Sequence, residues 1–386
     1  MTNQEKKVPE LRFPEFDGEW EEKTIGKIAT TFSGGTPSST NRSYYNGEIP
    51  FIRSGEISKS STELMINKEA ISNSSAKMVE KGDLLYALYG ATSGEVAISK
   101  INGAINQAVL CIRSQESATY IFNYLKMKKY QILKTYIQGG QGNLSASIIK
   151  KVDINLPYIE EQEKIGTFFS KLDRQIELEE QKLEKLEEQK KGYMQKIFSQ
   201  ELRFKDENGN EYPEWEEKTI KDVYKVTRGY VLARKLMSDN PNSINKYPVY
   251  SSQTSNNGLM GYYSDYLYQD AITWTTDGAN AGSVSFRQGK FYCTNVCGVL
   301  LNELGNSNVC MAEMLNNIAF KYVSKVGNPK LMNNVMAMIK LKFPCLEEQQ
   351  AISKFLNVFS EVIDNQNKKV ELLKERKKGF LQKMFV

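Results

Sequence analysis

Trp20-Glu-Glu-Lys-Thr-Ile25 returns, residue for residue, as Trp215-Glu-Glu-Lys-Thr-Ile220. Just upstream, Glu10-Leu-Arg-Phe13 returns as Glu201-Leu-Arg-Phe204. A longer echo closes each half. Leu156-Pro157-Tyr-Ile-Glu160-Glu161-Gln162 matches Phe343-Pro344-Cys-Leu-Glu347-Glu348-Gln349. Lys190-Lys191-Gly192-Tyr193-Met-Gln195-Lys196-Ile-Phe198 matches Lys377-Lys378-Gly379-Phe380-Leu-Gln382-Lys383-Met-Phe385. The closing matches are offset by 187 residues (344 − 157) and the opening Trp by 195 (215 − 20). A period near 190 residues is too long for a solenoid, so the chain reads as a duplicated domain-plus-helix unit. Between the matches, 26–155 and 221–342 share little beyond texture. Two like frames around two unlike inserts predict one scaffold carrying two specificities.

After Glu160-Glu161-Gln162 the periodicity becomes helical. Leu172, Ile176, Leu183, Leu186, Tyr193 and Ile197 fall at gaps of 4, 7, 3, 7 and 4. Ile363, Val370, Leu373, Phe380 and Met384 fall at gaps of 7, 3, 7 and 4. Both are seven-residue seams with charged outer faces. Pro157 and Pro344 precede the helices, and the acidic clusters sit in the first turns, where the helix dipole favours them. A helix of about 35 residues is about 50 Å long. A narrow seam of that length faces one partner, and the matching seam is the other copy. The reading is an antiparallel coiled coil joining the halves about a pseudo-two-fold.

The inserts read as mixed α/β. Strand-like runs include Ile49–Arg53, Asp83–Tyr89, Ala108–Arg113, Ala271–Thr275 and Val299–Leu301, punctuated by Asn-Gly and Asp-Gly turns. A helical stretch near Tyr120–Tyr136 has a counterpart near Glu313–Val323. Loops rich in Gly, Ser, Thr and Asn at Ser33–Asn46, Gln138–Ser147, Ser251–Gly261 and Thr275–Gly282 are candidate binding loops.

The 386 residues suit two or three domains, and 40% hydrophobic with 25% charged residues is ordinary for a globular protein. Absence of His excludes a Ser-His-Asp triad, a Cys-His dyad and His-ligated zinc. The five cysteines lack a paired framework and suit a reducing cytoplasm. Cys293 and Cys297 are spaced like two zinc ligands but lack a second pair, so two buried strand thiols are expected and no metal. The first residues hold no apolar h-region, and the run Leu84–Tyr89 is too short to span a membrane.

Catalytic motifs are missing from the sequence. Gly139-Gly140-Gln-Gly142 lacks the Lys of a phosphate-binding loop. Asn240-Pro241-Asn242 and Asn328-Pro329-Lys330 lack the second Pro and aromatic of an amino-methyltransferase. Glu21-Glu22-Lys23 imitates a magnesium nuclease only weakly. The chain reads as a binder. Its net charge of +5 permits a polyanionic partner. Ten acids and seven bases between 160 and 191 leave −3 there and +8 elsewhere. Basic lobes on an acidic rod suit lobes that touch phosphate and a rod that touches protein.

On its double frame the chain resembles the specificity subunit (HsdS) of type I restriction-modification systems. Further segments carrying the likeness are Ser33-Gly-Gly-Thr-Pro37, Tyr45-Asn-Gly-Glu-Ile-Pro50-Phe-Ile-Arg53-Ser-Gly-Glu56, Asn143-Leu-Ser-Ala-Ser147 and Thr276-Asp277-Gly-Ala-Asn280-Ala-Gly282. The resemblance implies an N-terminal arm at 1–20, a first target recognition domain at 21–159 and a central helix at 160–199. A linker at 200–215, a second target recognition domain at 216–346 and a C-terminal helix at 347–386 follow. It implies that each recognition domain reads one half of a bipartite, asymmetric double-stranded DNA site. The helices would set the spacer and dock two methylase subunits, and two motor/endonuclease subunits would complete the complex. S-adenosylmethionine, ATP and Mg2+ are expected on those partners, with no cofactor and no catalytic residue on this chain.

Contacts to DNA divide into phosphate holders and base readers. Arg42, Arg53, Lys235 and Lys330 are the expected phosphate holders. Tyr89, Gln141, Asn143, Arg228, Tyr230, Arg234, Asp277 and Asn280 are the expected base readers, Arg suiting guanine and Asn or Gln adenine. The rival reading is a protein-interaction scaffold, two lobes on a coiled-coil rod without nucleic acid.

Overall fold

The computed structural model describes residues 7–136, 143–252 and 255–386. The chain folds as two compact units, Met1–Gln181 with Lys368–Val386, and Lys182–Asn367.

The repeated motifs pair with one another. Glu21–Thr24 forms an antiparallel ladder with Asp153–Leu156, Glu21 opposite Leu156. Glu216–Thr219 does the same with Lys340–Phe343, Glu216 opposite Phe343. Each insert is therefore chain looped out between two hydrogen-bonded ends. A second tie uses the Glu-Leu-Arg-Phe repeat. Arg12 donates to Glu161 through Nε and Nη2 at 2.8 and 2.7 Å, and Arg203 donates to Glu348 at 3.2 and 2.8 Å. Both carboxylates are 0% exposed. The carboxylate hydrogen bonds hold both guanidinium pKa values above the usual one. Gln162 and Gln349 each donate Nε2 to the carbonyl of the preceding proline, Pro157 and Pro344, at 2.9 Å, which fixes the turn into the long helix.

In the first unit one sheet has the strand order Ala29–Ser33, Val109–Ser114, Leu84–Ala87, Val96–Ile98. In the second unit a six-stranded sheet begins Lys225–Arg228, Cys297–Leu301, Tyr268–Thr275, Val284–Cys293. The registers correspond. Phe32 faces Cys111 as Thr227 faces Val299, and Tyr86 faces Val96 as Trp274 faces Val284. A parallel pairing follows in both, Phe51 with Ala104 and Val249 with Tyr292. Tyr86 and Trp274, both fully buried, hold the same place. The inserts share little sequence beyond texture. They share a fold, because a ladder needs alternation and a packable face rather than particular side chains. Cys293 and Cys297 end one strand and begin the next, packed with Ala271, Phe291 and Val299. Burial pushes both thiols upward.

The long helices are Ile159–Phe198 and Leu346–Met384. Each gives one part to each unit. Within the first unit, Asp173 and Glu180 pair with Lys377 and Lys374, so the two helices run antiparallel there. Within the second unit, Lys190 donates to Ser360 at 3.0 Å, and Tyr193 meets Phe355 and Phe359. Ile176, Ile197, Val370, Leu373 and Met384 are buried. Leu172, Leu183, Leu186, Ile363 and Phe380 are half-buried, and Tyr193 is 41% exposed despite its ring contacts. The gaps of seven are occupied by polar residues in step with the seam, Glu179 and Lys190 on one helix and Gln366 and Lys377 on the other. Lys377 is buried, which pulls its pKa down against the pull of Asp173. A polar seam residue needs its own partner, and so specifies register. No described helix is long and apolar enough to cross a membrane.

Candidate nucleic-acid interface

One loop recurs in both units with the same backbone bonds. Gly94 N–H donates to the Ala87 carbonyl, and Gly282 N–H to Thr275, both at 2.9 Å. Ser93 N–H reaches Gly90 at 3.1 Å, and Ala281 N–H reaches Gly278 at 2.9 Å. The next tie is Leu144 N–H to Leu88 at 2.9 Å, and Leu331 N–H to Thr276 at 2.8 Å. Gly90 and Gly94 have φ of +89° and +83°, and Gly278 and Gly282 have +96° and +89°. A side chain is strained there, which explains Gly-Ala-x-x-Gly in both loops. That pattern is the sequence signal that the inserts are related.

The correspondence aligns candidate readers. Tyr89 takes the place of Asp277, Thr92 of Asn280, and Asn143 of Lys330. In the first unit, Tyr89 is half-buried against the main core, which raises its hydroxyl pKa, and Asn143 is exposed next to it in the fold. Gln141 lies outside the described residues. Arg42 is exposed in the turn Arg42–Tyr45, with no ion pair among the described residues. Arg53 is differently placed. It donates to Glu56 at 2.9 and 3.2 Å and to Glu63 at 2.5 Å. Glu56 is buried, and although burial pushes its carboxyl upward, Arg53 and backbone N–H groups hold it below the usual range. Arg53 thus also holds this turn, with its charge matched locally and its side chain 38% exposed.

In the second unit, Gly229 N–H bonds Cys297 at 2.9 Å, Tyr230 N–H bonds Cys293 at 3.1 Å, and Thr276 N–H bonds Val296 at 3.0 Å. Gly278 N–H reaches Pro329 at 3.0 Å. These bonds gather Arg228, Tyr230, Asp277 and Lys330 around the turn 293–297. The Tyr230 side chain is 61% exposed. Asp277 accepts from the Thr276 hydroxyl at 2.6 Å and faces Lys330 Nζ at 3.5 Å. An exposed pair of that length is weak and exchanges readily for another partner. Asn280 Nδ2 donates to the Ser252 carbonyl at 3.2 Å. Arg234, paired with Asp239, and Lys235 are exposed in the separate turn Arg234–Leu236, beside the strand Leu259–Tyr263.

Sequence reasoning missed Arg287. It is 8% exposed and donates Nε to Thr273 Oγ1 at 3.1 Å and Nη1 to the Asn257 carbonyl at 2.9 Å. Its guanidinium lies 3.9 Å from the centre of the Tyr250 ring, within cation–π range. It borders a cleft of about 170 Å³ that Asn280 also lines. The available signal was a single Arg in an otherwise strand-like run with no acid near it in sequence.

One fold used twice, with unlike side chains on a shared loop, defines a double recognition module. The chain belongs to the family described as the type I restriction modification DNA specificity domain, which it matches over residues 17–188 and again over 212–375. The type I restriction enzyme MpnII specificity subunit of Mycoplasma pneumoniae is 36% identical over 151 residues, 38% of this chain and 44% of that one. The MjaIX specificity subunit of Methanocaldococcus jannaschii is 26% identical over 404 aligned positions, 95% of this chain and 92% of that one. In fold, the chain is similar to the type I restriction-modification S subunit from M. genitalium, with a TM-score of 0.67 at 16% identity, over 98% of this chain and 99% of that one.

Proposed function

We propose that this chain is the specificity subunit that addresses a type I complex to DNA, each unit reading one half of a bipartite, asymmetric double-stranded site. The observation behind this reading is the shared loop that offers Tyr89, Thr92 and Asn143 in one unit and Asp277, Asn280 and Lys330 in the other. A common frame with different donors and acceptors suits two unlike half-sites. Asn can pair with adenine and Asp can accept from cytosine N4 in the major groove. Arg228 and Tyr230 join the second set of readers. Arg42 and Lys235, both exposed, suit phosphates.

In this reading the long helices set the spacer and dock two methylase subunits, and two motor subunits complete a cytoplasmic assembly. S-adenosylmethionine, ATP and Mg2+ belong to those partners, and this chain contributes no catalytic residue. The test is co-expression with the cognate methylase and genome-wide mapping of adenine methylation by single-molecule sequencing. A bipartite motif with a fixed gap is expected. Exchange of residues 26–155 for another family member's insert should change one half-site. A swap that altered both halves, or methylation unaffected by deleting this chain, would overturn the reading.

A further inference from the structure

The sheet-lined core of the first unit is apolar at Leu85, Ala87 and Ala97, which pack with Ile52, Ile105 and Val109. By the strand registers, these three positions are Thr273, Thr275 and Ser285 in the second unit, and Ser99 corresponds to Arg287. An apolar wall has become a polar cleft around a buried cation. Such an exchange costs stability unless the polar groups find partners.

The partners within the chain are incomplete. No carboxylate among the described residues pairs with Arg287, and burial pulls its pKa down. Its neighbours are a hydroxyl, a carbonyl and the Tyr250 ring. Thr275, Ser283 and Ser285 line the cleft, and their hydroxyls have no hydrogen-bond partner among the described residues. No Asp or Glu lines it. A buried positive charge among free hydroxyl donors suits an anion with several acceptor oxygens.

We propose that this cleft binds a phosphate-type oxyanion, with Arg287 as its charge partner and Thr275, Ser283, Ser285 and Asn280 as neutral donors. The anion comes either from the DNA backbone or from free phosphate. The inference rests on the DNA-reading function only for the first source. The corresponding wall of the first unit has Ser99 in place of the cation and Ala87 and Ala97 in place of Thr275 and Ser285, so the site belongs to the second unit alone.

The experiment uses the full chain in complex with its methylase. Inorganic phosphate is titrated against chloride at equal ionic strength without DNA, by calorimetry and thermal melting. Phosphate should bind and raise the melting temperature of the wild type. Binding should be lost in Arg287→Met and partly retained in Arg287→Lys. The double variant Thr275→Ala/Ser285→Ala, which restores the small apolar residues of the first unit, should bind phosphate about tenfold more weakly. That variant keeps the test alive if Arg287→Met does not fold. DNA affinity is then measured against salt. A slope of log affinity on log salt shallower by about 0.9 in Arg287→Met identifies the DNA backbone as the source. An unchanged slope with lost phosphate binding identifies free phosphate. No preference for phosphate over chloride together with an unchanged slope overturns the proposal, as does loss of one base preference with the slope unchanged. Failure of the complex to show any motif, with phosphate binding intact, would count against the DNA-reading function and leave the cleft standing.

Discussion

Truncating Arg12 should destabilise its unit more than truncating Arg203 destabilises the other, although the two residues belong to the same repeated motif. Each guanidinium meets a fully buried carboxylate through two N–H groups, and each also binds two backbone carbonyls, those of Asp17 and Gly18 or of Tyr212 and Pro213. Removing one partner of a buried ion pair costs about 3–5 kcal/mol, because the other charge is stranded. Glu348, however, also accepts from the Trp215 indole at 2.8 Å, whereas the equivalent Trp20 indole N–H is buried without a partner among the described residues. One hydrogen bond to a charged group is worth about 1.5–3 kcal/mol. Arg12→Ala should therefore cost about 3–5 kcal/mol, and Arg203→Ala about 2 kcal/mol less. Hydrogen exchange of the full chain under urea, read separately from peptides of each unit, measures both. The double variant Arg12→Met/Glu161→Leu removes both charges and should recover most of the Arg12→Ala loss. Equal losses for the two arginines, or a double variant as unstable as Arg12→Ala, would refute the stranded-charge argument.

At the shared loop, Asp277→Ala should weaken recognition of one half-site by about 1–3 kcal/mol and leave the other half-site unchanged, checked by competition binding with half-site variants. Lys377→Met should be neutral or stabilise the helix pair by about 1 kcal/mol, since an apolar seam residue replaces a desolvated charge; hydrogen exchange over 368–384 reads it, and a clear loss of protection would show the lysine to be stabilising. Asp83, together with Glu56, contributes to the acid response of the first unit. Burial pushes its carboxyl upward, but the Arg113 bridge and the Glu80 N–H more than offset this and hold it below the usual range. Ionised Asp83 therefore stabilises the fold above about pH 4, and this is lost as pH falls through its folded-state pKa. Asp83→Asn should flatten part of the acid limb of stability against pH, and an unchanged limb would place the sensitivity elsewhere.

The duplication was legible because both copies had to keep the same contacts. Arg12 and Arg203 serve buried glutamates, Gln162 and Gln349 clamp proline carbonyls, and Trp20 and Trp215 are buried beside the frame. Such contacts tolerate few residue types, so identity survives and can be read. The kinship of the inserts was nearly invisible. Their ladders ask only for alternation, and Tyr86 and Trp274 fill one position equally well. That Arg53 is matched by Glu56 and Glu63 was not legible, because those carboxylates become its partners only when the turn forms. The seam gaps of seven and the polar residues in them were visible, but that Lys377 finds Asp173 and Lys190 finds Ser360 across the helix pair was not.

The sequence by itself determined the two frames, the two long helices and the absence of His-dependent catalysis, since period, spacing and composition are one-dimensional quantities. Tertiary structure alone decided that Tyr89 and Asp277 hold one place in a shared loop. It alone set Arg287 in a polar cleft where the other unit has an apolar wall. Both depend on strand register, which brings residues far apart in the chain within a few ångströms and leaves little local trace beyond the Gly-Ala-x-x-Gly of the loop.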